Sequence, residues 1–286
     1  MDSAKACSGI QTGDNDRFLR QWFEVSLSSI GFNISTNNES VRSKCKWFPH
    51  KKGGEYIRWY GNCDYVMNWQ NGGEDIIKHP SSRPQNISYL FREGVTWSHT
   101  SISSFSARIS EPGFTFNVEG PTAFANNLNL LLGYLCSSVA YHFMMLMNPA
   151  LHFLVGTVSI LPYDEARILS RKDDVITITD EAISIARDNW NYYETSWDFV
   201  RITFIKNAAT LSDAFTDWES HCLAQRTRMK ELEEENNRLF IDAYGLQAEL
   251  TPDVPDEQIT LAKPDRDADM RRLVSYALGC MMGRYS

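Results

Sequence analysis

The sequence predicts an α+β fold: an irregular, mostly antiparallel sheet with buried helices, followed by a helical, coiled-coil-like spacer. Three observations predict it. Short aromatic or β-branched runs recur between Lys46 and Phe116, each closed by Gly, Pro, Asn or Ser. The stretch from Thr122 to Met147 is apolar nearly all round, the mark of buried helices. From Leu211 onward, apolar residues return at spacings of three and four.

Taken in order, Gly9–Asp16 is rich in turn residues, and Phe18, Trp22, Phe23 and Val25 then supply apolar positions. The runs "YIRWYG", "YVMNW", "ISYLF", "VTWSHTSI" and "FTFNV" read as strands, with "NGG" after Trp69 as a turn between two of them. Asn148–Pro149 ends the apolar helical stretch, because proline cannot continue a helix and restrains its predecessor. "LHFLVGTVSILPY" then returns to strand-like residues and stops at Pro162.

A further helix is expected with Thr179 or Asp180 as its N-cap. The clearest seam follows: Phe215, Trp218, Cys222, Gln225, Met229, Leu232, Asn236 and Leu239, with polar interruptions at Gln225 and Asn236. "TPDVPDEQITLAKPD" is an acidic, Pro-rich linker, and "ADMRRLVSYALGCMMGRYS" is an amphipathic segment that needs a partner surface. These divisions fall at 1–165, 166–250 and 251–286. No internal repeat or low-complexity tract is present.

A hydrophobic content of 43% can supply a sizeable core, and no apolar run approaches the roughly 20 residues that span a bilayer. The opening "MDSAKACSGIQTGDN" carries no apolar core and is not a secretion signal. Six scattered cysteines without a CxxC pair point to free thiols in a reducing cytoplasm and away from a zinc ribbon. The net charge of −8 hides a contrast. Residues 40–110 carry ten Lys/Arg against five acids, an excess of +5, which leaves −13 for the remainder.

Catalytic signatures are absent. There is no GxGxxG after a strand, no HExxH and no GxSxG, and "HKKGGEY" has the wrong order for a phosphate loop. His142 and His152 flank a proline and suit core or surface roles better than metal ligation. Asp173–Asp174 and Glu233–Glu235 fall in polar runs and read as a solvated face. No catalytic, metal or cofactor residue is therefore assigned in this chain.

The basic, aromatic stretch supports two readings at once. Tyr56, Trp59, Tyr65 and Trp69 can alternate into a sheet core while Lys51, Lys52 and Arg58 keep the opposite face wet. The same alternation leaves Arg58 or Tyr60 outward, where Arg, Lys and Asn can hold phosphates or read base edges.

Four motifs then occur in an order that resembles PglX, the large adenine-specific DNA methyltransferases of BREX phage-exclusion systems. They are "GIQTGDNDRFLRQWFEV", "KWFPHKKGGEYIRWYGNCDYVMNW", "GVTWSHTSISSFSARISEPGFTF" and "LMNPALHFLVGTVSILP". "ELEEENNRLFIDAYGL", "VPDEQITL" and "RRLVSYALGCMMGRYS" look like the helical region that follows in that family. Family members carry a Gly-rich S-adenosylmethionine loop and an Asn-Pro-Pro-Tyr motif, and neither is present. "MNPAL" shares only Asn-Pro, with Ala150 and Leu151 where Pro-Tyr would stand.

The resemblance thus implies a target-recognition-like DNA-binding region over 1–165 plus a helical spacer, an internal piece without the methyltransferase domain. It implies double-stranded DNA as partner, and S-adenosylmethionine only for the full-length family. Candidate DNA-binding residues are Lys51, Lys52, Arg58 and Asn62, followed by Trp97, Ser98 and Arg108. Thr12, Asp14, Asn15 and Arg17 form a polar turn that reads equally as a DNA contact or as a capping turn with Asp14 or Asn15 holding amides. The alternative is an interaction subunit or split piece whose helical region docks on a separately encoded methyltransferase half or on another BREX component.

Overall fold

The computed structural model describes residues 3–101, 104–150, 152–203, 205 and 209–285. Ile102, at the end of the run "VTWSHTSI", and Leu151, in the Asn-Pro comparison, lie outside the described residues. Two four-stranded sheets form the first part of the chain. One joins β1 (Ala4–Cys7), β8 (Thr122–Ala125), β5 (Gly94–Trp97) and β6 (Ala107–Ser110) in that order, all antiparallel. The other joins β2 (Leu19–Gln21), β4 (Tyr65–Asn68), β3 (Trp47–Lys51) and β7 (Thr115–Phe116), with only the β3–β7 pair parallel.

Three short helices accompany the sheets: α1 (Asn15–Phe18), α2 (Asn37–Ser43) and α3 (Gln70–Lys78). The rest of the fold is helical: α4 (Leu128–Leu135), α5 (Ser138–Met147), α6 (Val155–Ser159), α7 (Glu165–Ile168), α8 (Lys172–Asn191), α9 (Leu211–Tyr244) and α10 (Arg266–Met281). No single described helix is long and apolar enough to cross a membrane.

Several segments depart from the sequence expectation for local reasons. "YIRWYG" forms no strand, because Trp59 (φ 71°) and Asn62 (φ 51°) are left-handed. Trp59 instead makes a single bridge, donating its amide to Ala107 and accepting from Ile109. "NGG" turns through three left-handed residues into α3 instead of joining two strands, and the Trp69 ring occupies the space a side chain on Gly73 would need. "ISYLF" opens with a 3-10 turn at Ile87–Tyr89.

The stretch expected to be wholly helical begins as strand β8. Asn127 then caps α4, and Ser137 caps α5 after a bend of 63°. "VGTVS" is a short helix with Val158 buried, where β-branched residues had suggested a strand. The expected cap at Thr179 is interior to α8, which begins at Lys172; Thr179 is buried and donates to the Asn129 carbonyl. The apolar stripe extends back through Val175, so the helix starts two turns earlier.

The largest core joins β5, β6 and β8 to α4, α5, α8 and α9 and continues to Val254, Ile259 and Leu261. It therefore includes residues on both sides of 165 and of 250. The seam on α9 is buried at Trp218, Cys222, Met229, Leu232, Asn236 and Leu239. It packs on α5, α7 and α8 of the same chain. The polar interruption at Asn236 is satisfied there, donating to the Gly133 carbonyl of α4 at 2.9 Å. A second core, with Ile10, Phe18, Phe48, Met67, Trp69 and Phe91, lies against the other sheet.

Candidate nucleic-acid interface

The ten residues singled out by sequence are not brought together on one surface. Thr12, Lys51, Arg58, Asn62, Trp97, Ser98 and Arg108 are buried. Lys52 is half-buried, and Asn15 and Arg17 are exposed. Each buried side chain is engaged within the chain. The Thr12 hydroxyl donates to Asn15, the Asn62 amide to the Glu55 carbonyl, and the Trp97 indole to the Phe153 carbonyl.

Arg58 is held most firmly. Its guanidinium donates to Glu233 Oε2 of α9 at 2.5 Å and to the Cys136 carbonyl, while Trp59 Nε1 donates to Glu233 Oε1 at 2.7 Å. Burial opposes its charge, but Glu233, Tyr56 and Cys136 outweigh that cost and hold its pKa above the ordinary value.

Lys51 donates to the Gly61 carbonyl at 3.2 Å and to Cys63 Sγ at 2.9 Å. Arg108 donates to Ser98, Ser106 and the Ile57 carbonyl, and burial pulls its pKa down to about 10. These three cations therefore do not present their charge at the surface in this structure. The alternation that suggested outward positions was masked by partners distant in sequence.

The charge that does reach solvent sits elsewhere on the β-rich part. Lys5, Arg17, Arg42, Lys44, Lys46, Arg83 and Arg92 are exposed, and Arg20 and Lys52 are partly so. Among the described residues none of these nine forms an ion pair; the Lys and Arg ion pairs of this part are Arg58–Glu233 and Lys78–Glu74. The helical part differs: Arg167, Arg171, Arg187, Arg228, Lys230, Arg238 and Arg272 each meet a carboxylate.

Aromatic rings orient several of the unpaired cations. Lys5 Nζ and Arg92 Cζ lie 4.7 and 5.0 Å from the centroid of Tyr89. Arg20 and Lys46 lie 5.9 and 5.3 Å from Trp47, Lys52 lies 4.3 Å from Tyr65, and Arg17 lies 5.0 Å from Phe18. A ring face fixes a cation without neutralising it, so the charge stays available to an anion. Lys5 and Arg20 escaped the sequence reading because they precede the basic stretch. Arg83 and Arg92 were counted in it, and their turn-rich flanks, "SSRP" and "FREG", were the available signal of exposure.

Neither glycine pair offers a cradle for S-adenosylmethionine. A side chain on Gly53 would meet the Glu119 carbonyl oxygen at 2.4 Å, and one on Gly54 would meet Asn62. Gly72 and Gly73 are covered by Val41 and Trp69. The space above these glycines is filled by the chain itself, so no methyl-transfer step is derived from these residues.

No family model matches the chain. It is 37% identical over 297 residues to the adenine-specific methyltransferase PglX of Lacticaseibacillus casei (strain Zhang), covering 98% of this chain and 24% of that protein. It is 30% identical over 308 residues to the adenine-specific methyltransferase BrxX of Escherichia coli O9:H4 (strain HS), covering 99% of this chain and 24% of that protein. The chain thus spans about a quarter of the length of the curated relatives it matches.

Proposed function

The chain belongs to the PglX family of adenine-specific methyltransferases as a region 24% of the length of its relatives, and from that premise we propose that it recognises double-stranded DNA for such an enzyme. It binds the duplex without chemistry of its own. The observation that carries this reading is the set of exposed cations on the β-rich part that have no carboxylate partner among the described residues. An unpaired surface cation gains more from a phosphate than one already neutralised, because binding releases the counterions condensed on DNA. Phosphate contacts set register, and exposed polar side chains such as Asn15 are available to read base edges.

Selection of bound duplexes from a random pool, followed by sequencing, tests the reading. Enrichment of a short motif, with affinity falling steeply between about 50 and 200 mM salt, is the expected outcome. Binding without motif enrichment, or without salt dependence, contradicts target recognition.

A second reading concerns partners and rests on α10. Val274, Leu278, Met281 and Met282 form an exposed apolar stripe along that helix. It suits docking on a methyltransferase-domain polypeptide or another BREX component. Co-purification with a separately produced methyltransferase domain, abolished by charge in the stripe, is the expected result.

A further inference from the structure

Residues 5–13 run antiparallel beside residues 81–89 well beyond the named strands. Lys5 meets Tyr89 by its ammonium, the Asn86 amide donates to the Ser8 carbonyl at 2.8 Å, and Gln11 and Arg83 exchange backbone hydrogen bonds at 3.1 and 2.8 Å. Gly13 then lies against Ser81: a side chain there would fall 2.5 Å from the Ser81 carbonyl carbon, and its φ of 74° is left-handed. Each step forward in one segment is matched by a step back in the other, so the two form one continuous seam. The Ser82 hydroxyl, donating to the Gln11 carbonyl at 3.0 Å, fastens the same end.

Cations mark both ends of this seam. Lys5 and Arg92 share the Tyr89 ring at one end, and Arg83 stands at the other with Arg17 beyond the Gly13 turn. None has an ion-pair partner among the described residues. Nearby acids do little to cancel them: Asp14 is occupied capping α1 at the Arg17 amide, and Glu93 has Glu111 and Arg187 as its charged neighbours. Asp16 is exposed in α1 and is the one carboxylate on that turn left free of a cap. From Lys5 to Gln11 the extended backbone covers roughly 20 Å. A duplex rises about 3.4 Å along its axis per phosphate of one strand, so the seam laid parallel to that axis spans about six base pairs.

Resting on the DNA-recognition reading above, we infer that the seam of residues 5–13 and 81–92 is a phosphate-contacting track. It lies parallel to the duplex axis, with Lys5 and Arg92 holding phosphates at one end and Arg83 at the other. Tyr89 is a positioning residue that keeps the first two cations close together. Its consequence is that the adjoining turn, with Asn15, is carried to a groove edge.

The test uses the full 286-residue chain and a random-sequence duplex of about 30 base pairs, which exceeds the roughly six covered by the seam. Fluorescence anisotropy across a salt series gives the slope of log K against log salt for the wild type and for Lys5→Gln, Arg83→Gln and Arg92→Gln. Each substitution is expected to lower the slope by about 0.9, with the melting temperature unchanged and Lys5→Arg restoring the wild-type value. Lys172→Gln, on α8, serves as the neutral comparison. Wild-type slopes in all three variants, or a loss confined to Arg20→Gln and Lys46→Gln, overturn the track while leaving DNA recognition standing. Failure of the wild type to bind any duplex at low salt removes DNA recognition itself.

Discussion

Arg58 Nη1 lies 2.5 Å from Glu233 Oε2, although the two residues are 175 positions apart and both are buried. Trp59 takes the other carboxylate oxygen, so the β-rich part and α9 share one desolvated charge pair. Such a pair is weak as a source of net stability but costly to break from one side, since the survivor is left charged and dry. Glu233→Gln is therefore expected to destabilise the chain by about 3–5 kcal/mol in urea unfolding. The double variant Arg58→Met/Glu233→Leu should recover a large part of that loss. Equal losses in the single and double variants would show that the pair's worth lies in shape and not in charge.

His50 supplies a pH dependence with a definite sign. Burial, assisted by nearby Lys52, lowers its pKa from 6.5 to about 3. The Thr115 hydroxyl donates to the Pro49 carbonyl, which leaves its oxygen to accept from His50 Nδ1–H at 2.9 Å, and Nε2 has no partner among the described residues. The folded state keeps the ring neutral while the unfolded chain takes up a proton. Stability from this residue is thus full above about pH 6.5 and is lost as pH falls toward 3, at about 1.4 kcal/mol per unit. Between pH 7 and pH 5 the wild type should lose about 2 kcal/mol more than His50→Gln in denaturant titrations. Parallel pH profiles for the two proteins would contradict a neutral, buried imidazole.

These two sites also show what the sequence could and could not carry. Strands β4 and β5 were legible because their alternation and flanking turns act locally, and α9 was legible from its seam. "YIRWYG" was not, because its conformation is set by left-handed Trp59 and Asn62 and by Trp59 pairing with the strand around Arg108. The burial of Lys51, Arg58 and Arg108 was illegible for a related reason. Their partners, Cys63, Glu233 and Ser98, come from other elements, and nothing in a cation's own neighbourhood announces them. The exposed cations of the seam depend equally on a long-range register, from Lys5–Tyr89 to Gln11–Arg83.

Gly133 tests how tightly α4 meets α8 and α9. A side chain there would stand 2.9 Å from Val175 Cγ1, 3.0 Å from Asn236 Oδ1 and 3.1 Å from Thr179 Oγ1. Helix propensity favours Gly→Ala by about 1 kcal/mol, but crowding a packed interior costs about 1–3 kcal/mol. Because Val175 is stiff and Asn236 is held by its bond to the Gly133 carbonyl, crowding should prevail. Gly133→Ala is expected to lower the melting temperature by several degrees, and Val175→Ala in the same chain to restore part of it. A gain in stability from Gly133→Ala alone would mean the three helices yield at this contact.

The apolar stripe of α10 makes an opposite prediction about stability. Leu278 is 53% exposed and Met281 82%, whereas the same helix is anchored by buried Asp269, which accepts from the Trp218 indole at 3.2 Å and from the Asp265 amide. The helix is thus fixed to the chain through its first turn and again at Ser275, whose hydroxyl donates to Glu194, and Tyr276, which packs on Phe199. The exposed stripe contributes little burial. Leu278→Glu and Met281→Glu should leave unfolding free energy within about 0.5 kcal/mol of wild type, as is usual for surface changes. Asp269→Ala should be markedly destabilising, since it removes the buried carboxylate that accepts from the Trp218 indole and the Asp265 amide. If the stripe docks on a partner, the two Glu variants should lose co-purification with a methyltransferase-domain polypeptide while remaining fully folded. A drop in stability from Leu278→Glu comparable to that from Asp269→Ala would instead place the stripe against the chain's own surface and remove the basis for docking.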